Sequence, residues 1–370
     1  MNIIHIGPCA LPVGHRYGGA IERRMLELAK AQAARGSQVT VYSAEDQTGS
    51  AQRDGFELRS LRCRWSGTAR RFEFLIKCLR DVRRLRPEVL HFHSVPEASF
   101  FAHRIDARTV LSYDHYLFFR GKRTPLYWWF RQGLRRFDYL LPVSEYCLTN
   151  SVSYWGLEGA RVRVLFNGVN LNQFHPDSAG ARQWKQDLGL NDDPVVMYVG
   201  RVCRQKGTDV LLDAYVRVKE KMPNVRLVIA GPAERFGHAT GSDLTARIAE
   251  LGGIYLGAVE EDELARAYNL CDVFVMPTRT EEMFGMAAVE AQACGKPAVC
   301  SRHGGLVEVV CDKSGHFFPI GDSAALAEEL VALLSNVELR QQMSAAAREN
   351  AQRFDWNVLA ADLEPIYAGH

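Results

Sequence analysis

Apolar runs and amphipathic stretches alternate twice along the chain. Ile3 to Ile6 forms a short apolar run, and a loop rich in Gly and Pro follows from Gly7 to Gly19. Apolar residues at 21, 25, 28 and 29 then recur at helical spacing. Val39 to Tyr42 predicts the next strand, and further apolar runs predict strands near 89–92, 109–112, 138–142 and 162–165, with helices between. After Pro176 the pattern restarts. It predicts strands over 195–199, 225–230, 253–256, 272–276 and 297–300. The helices are expected over 208–219, 243–250 and 261–269, from about 284, and near 323–334, 337–352 and 356–367. Strand–helix alternation implies parallel sheets with helices on both faces. The expected fold class is therefore α/β: two doubly wound, Rossmann-like domains facing a central cleft at the carboxyl ends of their strands. The stretch 167–180, rich in Asn, Gly and Pro, reads as the linker.

Composition is consistent with this. The chain has 370 residues and 47% hydrophobic content, enough for two cores. No apolar run approaches the length of about 18 residues that a membrane-spanning helix needs. The stretch Met1-Asn2-Ile3-Ile4-His5-Ile6 has no basic leader and no small-residue cleavage site, so no signal peptide is expected. Nine Cys are scattered singly, without a C-x-x-C pair, which suits small buried hydrophobes in a reducing cytoplasm. The net charge of +2 conceals an asymmetry. Residues 1–175 hold 26 basic and 15 acidic residues, and residues 176–370 hold 19 and 28, giving +11 and −9. Halves of opposite sign imply different partners.

Three loops at strand ends carry candidate chemistry. The first is Arg279-Thr280-Glu281-Glu282-Met283-Phe284-Gly285-Met286, which opens a helix and ends the strand at 272–276. A helix N-terminus suits a phosphate. Glu282 stands in the loop. Glu290 stands one to two turns into the helix among Ala287, Ala288, Val289, Ala291 and Ala293, where a carboxylate needs a partner. A ribose hydroxyl is one partner; acids that merely favour the helix start are the bland alternative. The second loop is Gly200-Arg201-Val202-Cys203-Arg204-Gln205-Lys206-Gly207. Arg201 and Lys206 bring cations to a helix start, where the dipole disfavours them unless an anion binds. Two solvated charges are the alternative. The third is Gly14-His15-Arg16-Tyr17-Gly18-Gly19, which lets backbone approach a phosphate but matches neither G-x-G-x-x-G nor a P-loop.

Together these motifs resemble glycosyltransferase family 4. The carriers are Gly200-Arg201-x4-Lys206-Gly207, then Glu282-x-Phe284-Gly285-x4-Glu290-Ala291-x-Ala293-x-Gly295-x-Pro297, then Gly304-Gly305-x-x-Glu308. Val143-Ser144-Glu145-Tyr146 and Asn167-Gly168-Val169-Asn170 with Phe174 are lesser marks. The resemblance covers nearly the whole chain and is more specific in its second half. It implies the GT-B fold, with an acceptor-binding domain over 1–170, a nucleotide-sugar donor domain over 171–354, and a terminal helix, 355–370, packing back on the first. It implies a retaining, metal-independent hexosyltransferase that needs no cofactor and takes a nucleoside diphosphate sugar, UDP first and GDP-mannose next. The acceptor would be a hydroxyl in surface polysaccharide, glycolipid or natural-product glycoside synthesis. Arg201 and Lys206 would clamp the diphosphate. Glu282 would contact the sugar beside the backbone N–H groups of Phe284, Gly285 and Met286, and Glu290 would hold the ribose. Gly18 and Gly19 would approach the phosphate from the other domain. The family's histidine near the reacting carbon maps closest to His115. Met283 departs from the family's usual Gly, which leaves sugar identity open. A nucleotide-sugar epimerase of the same fold and a non-catalytic nucleotide-sugar-binding or coat-assembly protein are the rival readings.

Other features read more plainly. His91 and His93 share a strand face, but the sequence offers them no third ligand. Glu260 to Glu263 reads as a helix start, and no Asp-x-Asp stands at a strand end. Residues 59–86 and 117–137 interleave cations with aromatics. They suit a membrane interface at the inner face of a membrane, an anionic acceptor, or core beneath Arg stems. No nucleic-acid module is recognisable.

Overall fold

The computed structural model describes residues 1–13, 19–101, 105–114, 124–157, 161–233 and 241–369. They form two compact units, Met1–Gly168 with Trp356–His370, and Val169–Asp355.

The first unit contains β1 (Asn2–Ile6), α1 (Ala20–Ala34), β2 (Gln38–Glu45), β3 (Gly49–Arg53), β4 (Phe56–Arg62), α2 (Gly67–Leu85), β5 (Val89–His93), β6 (Arg108–Tyr113), α3 (Pro125–Leu134), β7 (Tyr139–Pro142) and α4 (Glu145–Trp155). Its sheet runs β3-β4-β2-β1-β5-β6-β7. All pairs are parallel except β3 with β4. The chain leaves β1 toward β2 on one side and returns to β5 on the other. The topological switch point therefore lies between β1 and β5.

The second unit contains α5 (Ser178–Asp187), β8 (Val195–Val199), α6 (Thr208–Lys221), β9 (Arg226–Ala230), α7 (Gly241–Glu250), β10 (Ile254–Gly257), α8 (Glu261–Tyr268), β11 (Val273–Met276), α9 (Met286–Ala293), β12 (Ala298–Ser301), α10 (Leu306–Val309), β13 (Gly315–Phe318), α11 (Ser323–Ser335) and α12 (Val337–Ala351). Its all-parallel sheet runs β10-β9-β8-β11-β12-β13. Its strands read as continuous apolar runs because both faces are covered.

The last helix, α13 (Trp356–Ala368), belongs to the first unit. Its Trp356, Leu359, Ala360, Leu363 and Tyr367 join a core with Ile3, Leu28, Val89, Val110 and Leu141. Gly168 admits Trp356 against its backbone: a Cβ there would lie 2.3 Å from the indole.

Three sequence expectations are corrected. Residues 162–165 form an isolated bridge, Leu140 with Val162, rather than a full strand. The hairpin β3–β4 was not expected, because β3 is exposed throughout and carries no apolar alternation. The stretch read as linker already starts α5, where the Asp177 carboxylate accepts from the Gly180 N–H at 2.8 Å.

Leu363 is fully buried. Leu363→Ala is expected to cost about 2–5 kcal/mol of stability, the usual range for a core truncation. Urea unfolding with hydrogen exchange should place the loss in the first unit. A change within about 0.5 kcal/mol, as at an ordinary surface position, would show that α13 is not part of that core.

Candidate active site

At the carboxyl edge of the second sheet, two loops meet backbone to backbone. A 3-10 turn, Arg204–Lys206, ends at Gly207, whose φ is +73°. A Cβ on Gly207 would sit 1.7 Å from the Pro277 carbonyl oxygen, so only glycine lets the turn lie against the end of β11. The Gln205 carbonyl accepts from the Arg279 N–H at 3.0 Å and from the Thr280 hydroxyl at 3.4 Å, while the Thr278 hydroxyl donates to the Thr280 carbonyl at 3.0 Å. Arg279 also pairs with Asp209 on α6 at 2.8 Å. These bonds bring together side chains from distant parts of the sequence. Lys206 Nζ lies 2.6 Å from Glu282 Oε2, with the side chains 23% and 18% exposed.

A second glycine pair backs the Glu282 loop. The Gly305 N–H donates to the Glu282 carbonyl at 2.7 Å. Added Cβ atoms on Gly304 and Gly305 would lie 2.3 Å from the carbonyl oxygens of Glu282 and Met283. Gly285, at φ +106°, precedes α9. The first amides of α9 have no partner within the helix. Phe284 is core, edge-on to Phe354 at 5.5 Å. Met283 and Met286 are half-buried, and Arg201 is exposed on the β8–α6 loop.

Glu290 differs from expectation. It is buried, and the Tyr268 hydroxyl donates to its Oε2 at 2.8 Å. The carboxylate thus has a partner inside its own unit, not only in a complex with a ribose. Tyr268 closes α8 and reaches α9 from 22 residues upstream, so no local spacing signalled the pair.

In the first unit, Gly19 precedes α1 in extended conformation. Gly18 and His115 lie outside the described residues, as do 117–123. Of the aromatic stretch, Trp128 and Trp129 are 52% and 57% exposed while Phe130 is buried. Cys63 is half-exposed and Cys311 exposed; the other seven cysteines are buried.

His91 and His93 do have a third histidine beside them. β1 pairs with β5 so that His5 stands opposite His91, and the three buried rings cluster. Their nitrogens are committed to a closed hydrogen-bond circuit. The Gln32 amide donates to the Tyr367 hydroxyl at 3.2 Å, and Tyr367 donates to His91 Nδ1 at 2.6 Å. His91 Nε2 donates to Ser112 at 2.9 Å, and Ser112 donates to His93 Nδ1 at 3.1 Å. His93 Nε2 donates to His5 Nδ1 at 2.8 Å, and His5 Nε2 donates to the Gln32 carbonyl oxygen at 2.7 Å. Gln32, as oriented, sets this direction, and the ring closes only with all three imidazoles neutral. His91 and His93 stack at 4.1 Å, which keeps their in-plane lone pairs from converging on one ion. Burial holds His5 down to about 4 and His91 and His93 well below the usual histidine range; the positive charge of Arg24 adds to it for the latter two.

Two doubly wound, Rossmann-like α/β units in one chain are the architecture of the GT-B glycosyltransferases. The sequence pattern of the glycosyl transferases group 1 matches residues 181–350, and that of glycosyltransferase family 4 matches residues 17–173. The chain belongs to the group 1 glycosyltransferases of family 4. It is 30% identical over 367 residues to a phosphatidyl-myo-inositol mannosyltransferase of Mycobacterium leprae, covering 94% of this chain and 92% of that one. It is 35% identical to a D-inositol 3-phosphate glycosyltransferase of Xylanimonas cellulosilytica over 59% of this chain and 53% of the relative. The Anabaena HepE structure, in complex with UDP and glucose, superposes with a TM-score of 0.76 at 20% identity, covering 100% of this chain and 99% of that one.

The neutral circuit makes the first unit acid-sensitive. An unfolded histidine takes a proton below about pH 6.5, whereas folded His5 does so only near 4. No stability is lost above the unfolded value. As pH falls from about 6.5, the unfolded state binds more protons and stability drops, with a limiting slope for three sites of about 4 kcal/mol per pH unit. Unfolding midpoints between pH 7.5 and 5, above the ordinary carboxylate range, should fall accordingly in the first unit. A flat profile there would mean the rings are not held neutral.

Proposed function

We propose that the chain is a retaining, metal-independent glycosyltransferase that moves a sugar from a nucleoside diphosphate sugar to a hydroxyl acceptor. The Lys206–Glu282 contact at 2.6 Å carries the reading, because it sets a phosphate-seeking cation against a hydroxyl-seeking carboxylate at a strand-end loop. Lys206 and Arg201 would take the diphosphate, aided by the first amides of α9. Glu282 would orient the sugar hydroxyls, and Glu290 would meet the ribose from beside Tyr268. UDP is the favoured nucleotide, supported by the UDP complex of the Anabaena neighbour. GDP-mannose comes next, supported by the mannosyltransferase relative. The acceptor belongs to surface polysaccharide, glycolipid or natural-product glycoside synthesis.

In the reaction, a bond forms between the acceptor oxygen and the anomeric carbon while the bond from that carbon to the β-phosphate oxygen breaks. The acceptor proton passes to the departing diphosphate on the same face, which gives retention. Cations beside the diphosphate stabilise its developing charge. Among the described residues, no helix is long and apolar enough to cross a membrane. A cytoplasmic protein touching the inner membrane face through exposed Trp128 and Trp129 beside Arg131, Arg135 and Arg136 fits the basic first half.

Lys206→Ala should lower turnover by at least about 100-fold, the scale of one lost transition-state charge contact. A thermal-shift panel with UDP, GDP, ADP and dTDP should show stabilisation by one nucleotide, diminished in the variant. Near wild-type turnover in Lys206→Ala would remove the clamp. No shift with any nucleotide would remove the donor reading.

A further inference from the structure

The second unit has a cavity at the amino edge of its sheet, the end opposite the candidate active site. Its volume is about 620 Å³, within the usual range of small-molecule pockets. The residues that precede β8, β11 and β12 form its base, and these three strands lie side by side. α5 forms one wall, and Ser344 of α12 stands on another. Gly295, at φ +70°, lets Ser344 and Pro176 close in on the floor: a Cβ there would lie 3.2 and 3.3 Å from them.

Three cations line this cavity, although it lies in the acidic half of the chain. Arg182 and Lys185 stand one turn apart on α5, so they share a face, and like charges at that spacing repel. Lys296 comes from the turn between α9 and β12. Among the described residues, none of the three has a carboxylate partner. Half-buried Lys296 has only the Asn269 carbonyl, at a long 3.4 Å. The carboxylates of the cavity, by contrast, are mostly taken. Asp177 accepts from the Gly180 N–H at 2.8 Å, Asp193 pairs with Arg226 at 3.5 Å, and Asp272 accepts from the Val195 N–H at 2.9 Å. Asp192 is the exception: it is exposed and has no partner among the described residues. Three cations against one free carboxylate leave a net charge of +2. A phosphomonoester, with about −1.5 to −2 near neutral pH, matches it. A pocket of this size takes more than a bare phosphate ion. Gln186, Asn191 and Ser344, with Asp192, offer hydrogen bonds to a hydroxylated body, and no aromatic side chain among the described lining residues would stack on a base.

We propose that this cavity is a second binding site, for a sugar phosphate that takes no part in the transfer. Arg182, Lys185 and Lys296 hold the phosphoryl group, and Asp192 accepts from a hydroxyl of the sugar. The site lies at the opposite edge of the sheet from Lys206 and Glu282, and it does not rest on the donor reading given above.

Titration calorimetry on the full chain tests this with glucose 6-phosphate, inorganic phosphate and glucose as probes. The ester should bind more tightly than inorganic phosphate, and glucose alone should not bind. Lys296→Met should weaken the ester at least about tenfold, the scale of one charge-assisted hydrogen bond. Arg182→Ala, at an exposed position of α5 that does not threaten folding, should weaken it in the same direction. Asp192→Asn should weaken the ester but not inorganic phosphate. Saturating UDP should leave ester binding in place, because the two sites stand at opposite edges. Absence of ester binding overturns the proposal, as does equal binding by wild type, Lys296→Met and Arg182→Ala, which would put the ester elsewhere on the chain. An ester no tighter than inorganic phosphate would reduce the cavity to an unspecific anion site and overturn it too, and displacement of the ester by UDP would return it to the donor site. Failure of UDP to bind at all would fail the donor reading and leave the ester titration to decide this one.

Discussion

The candidate site depends on one close approach: the turn ending at Gly207 lies directly on the carbonyl at the end of β11. A side chain of any size there would push the 203–207 turn away from Pro277. The Gln205 carbonyl would then lose its two donors, the Arg279 N–H and the Thr280 hydroxyl. Lys206 and Glu282 hold each other at 2.6 Å only because their backbones are already fastened. Their ion pair is a consequence of packing, since a partly exposed pair contributes little by itself. Gly304 and Gly305 do the same on the other side, letting a third loop press against the Glu282 carbonyl. Glycines thus appear in both motifs for steric reasons that precede any ligand.

The first unit solves a different problem. Its core includes a helix that returns after the whole second unit has been made. Apolar contacts from Leu359 and Leu363 are non-directional. The circuit through Tyr367, Gln32 and the three histidines is directional, and each member has both a donor and an acceptor to place. A helix docked out of register would leave several buried polar atoms unmet, at a cost well above that of an imperfect apolar contact. Specific docking of α13 therefore follows from the polar ring as much as from the apolar core.

What the sequence revealed follows from the range of each signal. Strand–loop–helix punctuation and the glycines beside Arg201, Lys206 and Glu282 are local, so the positions of the two loops were legible. Partners supplied by another element were not. Tyr268 reaches Glu290 from the preceding helix, and His5 reaches His91 only through strand register. The hairpin of β3 and β4 was hidden because an exposed edge strand needs no apolar alternation. Arg70 and Arg71 looked like part of a general basic stretch. Only the fold sets Arg71 against Glu97, at 3.0 Å.

On the proposed reading, the Lys206–Glu282 pair also shapes how a donor is recognised. Burying a new charge is costly, whereas exchanging one partner for another is much less so. A diphosphate drawing Lys206 toward itself replaces one carboxylate by phosphate oxygens and leaves the cation paired throughout. The same movement releases Glu282, which then needs hydrogen-bond donors, and a sugar's hydroxyls supply them at the adjoining position. A nucleotide without its sugar would capture the lysine but leave the carboxylate less well served. The pair therefore couples recognition of the leaving group to recognition of the group transferred, through two side chains that the fold had already placed in contact.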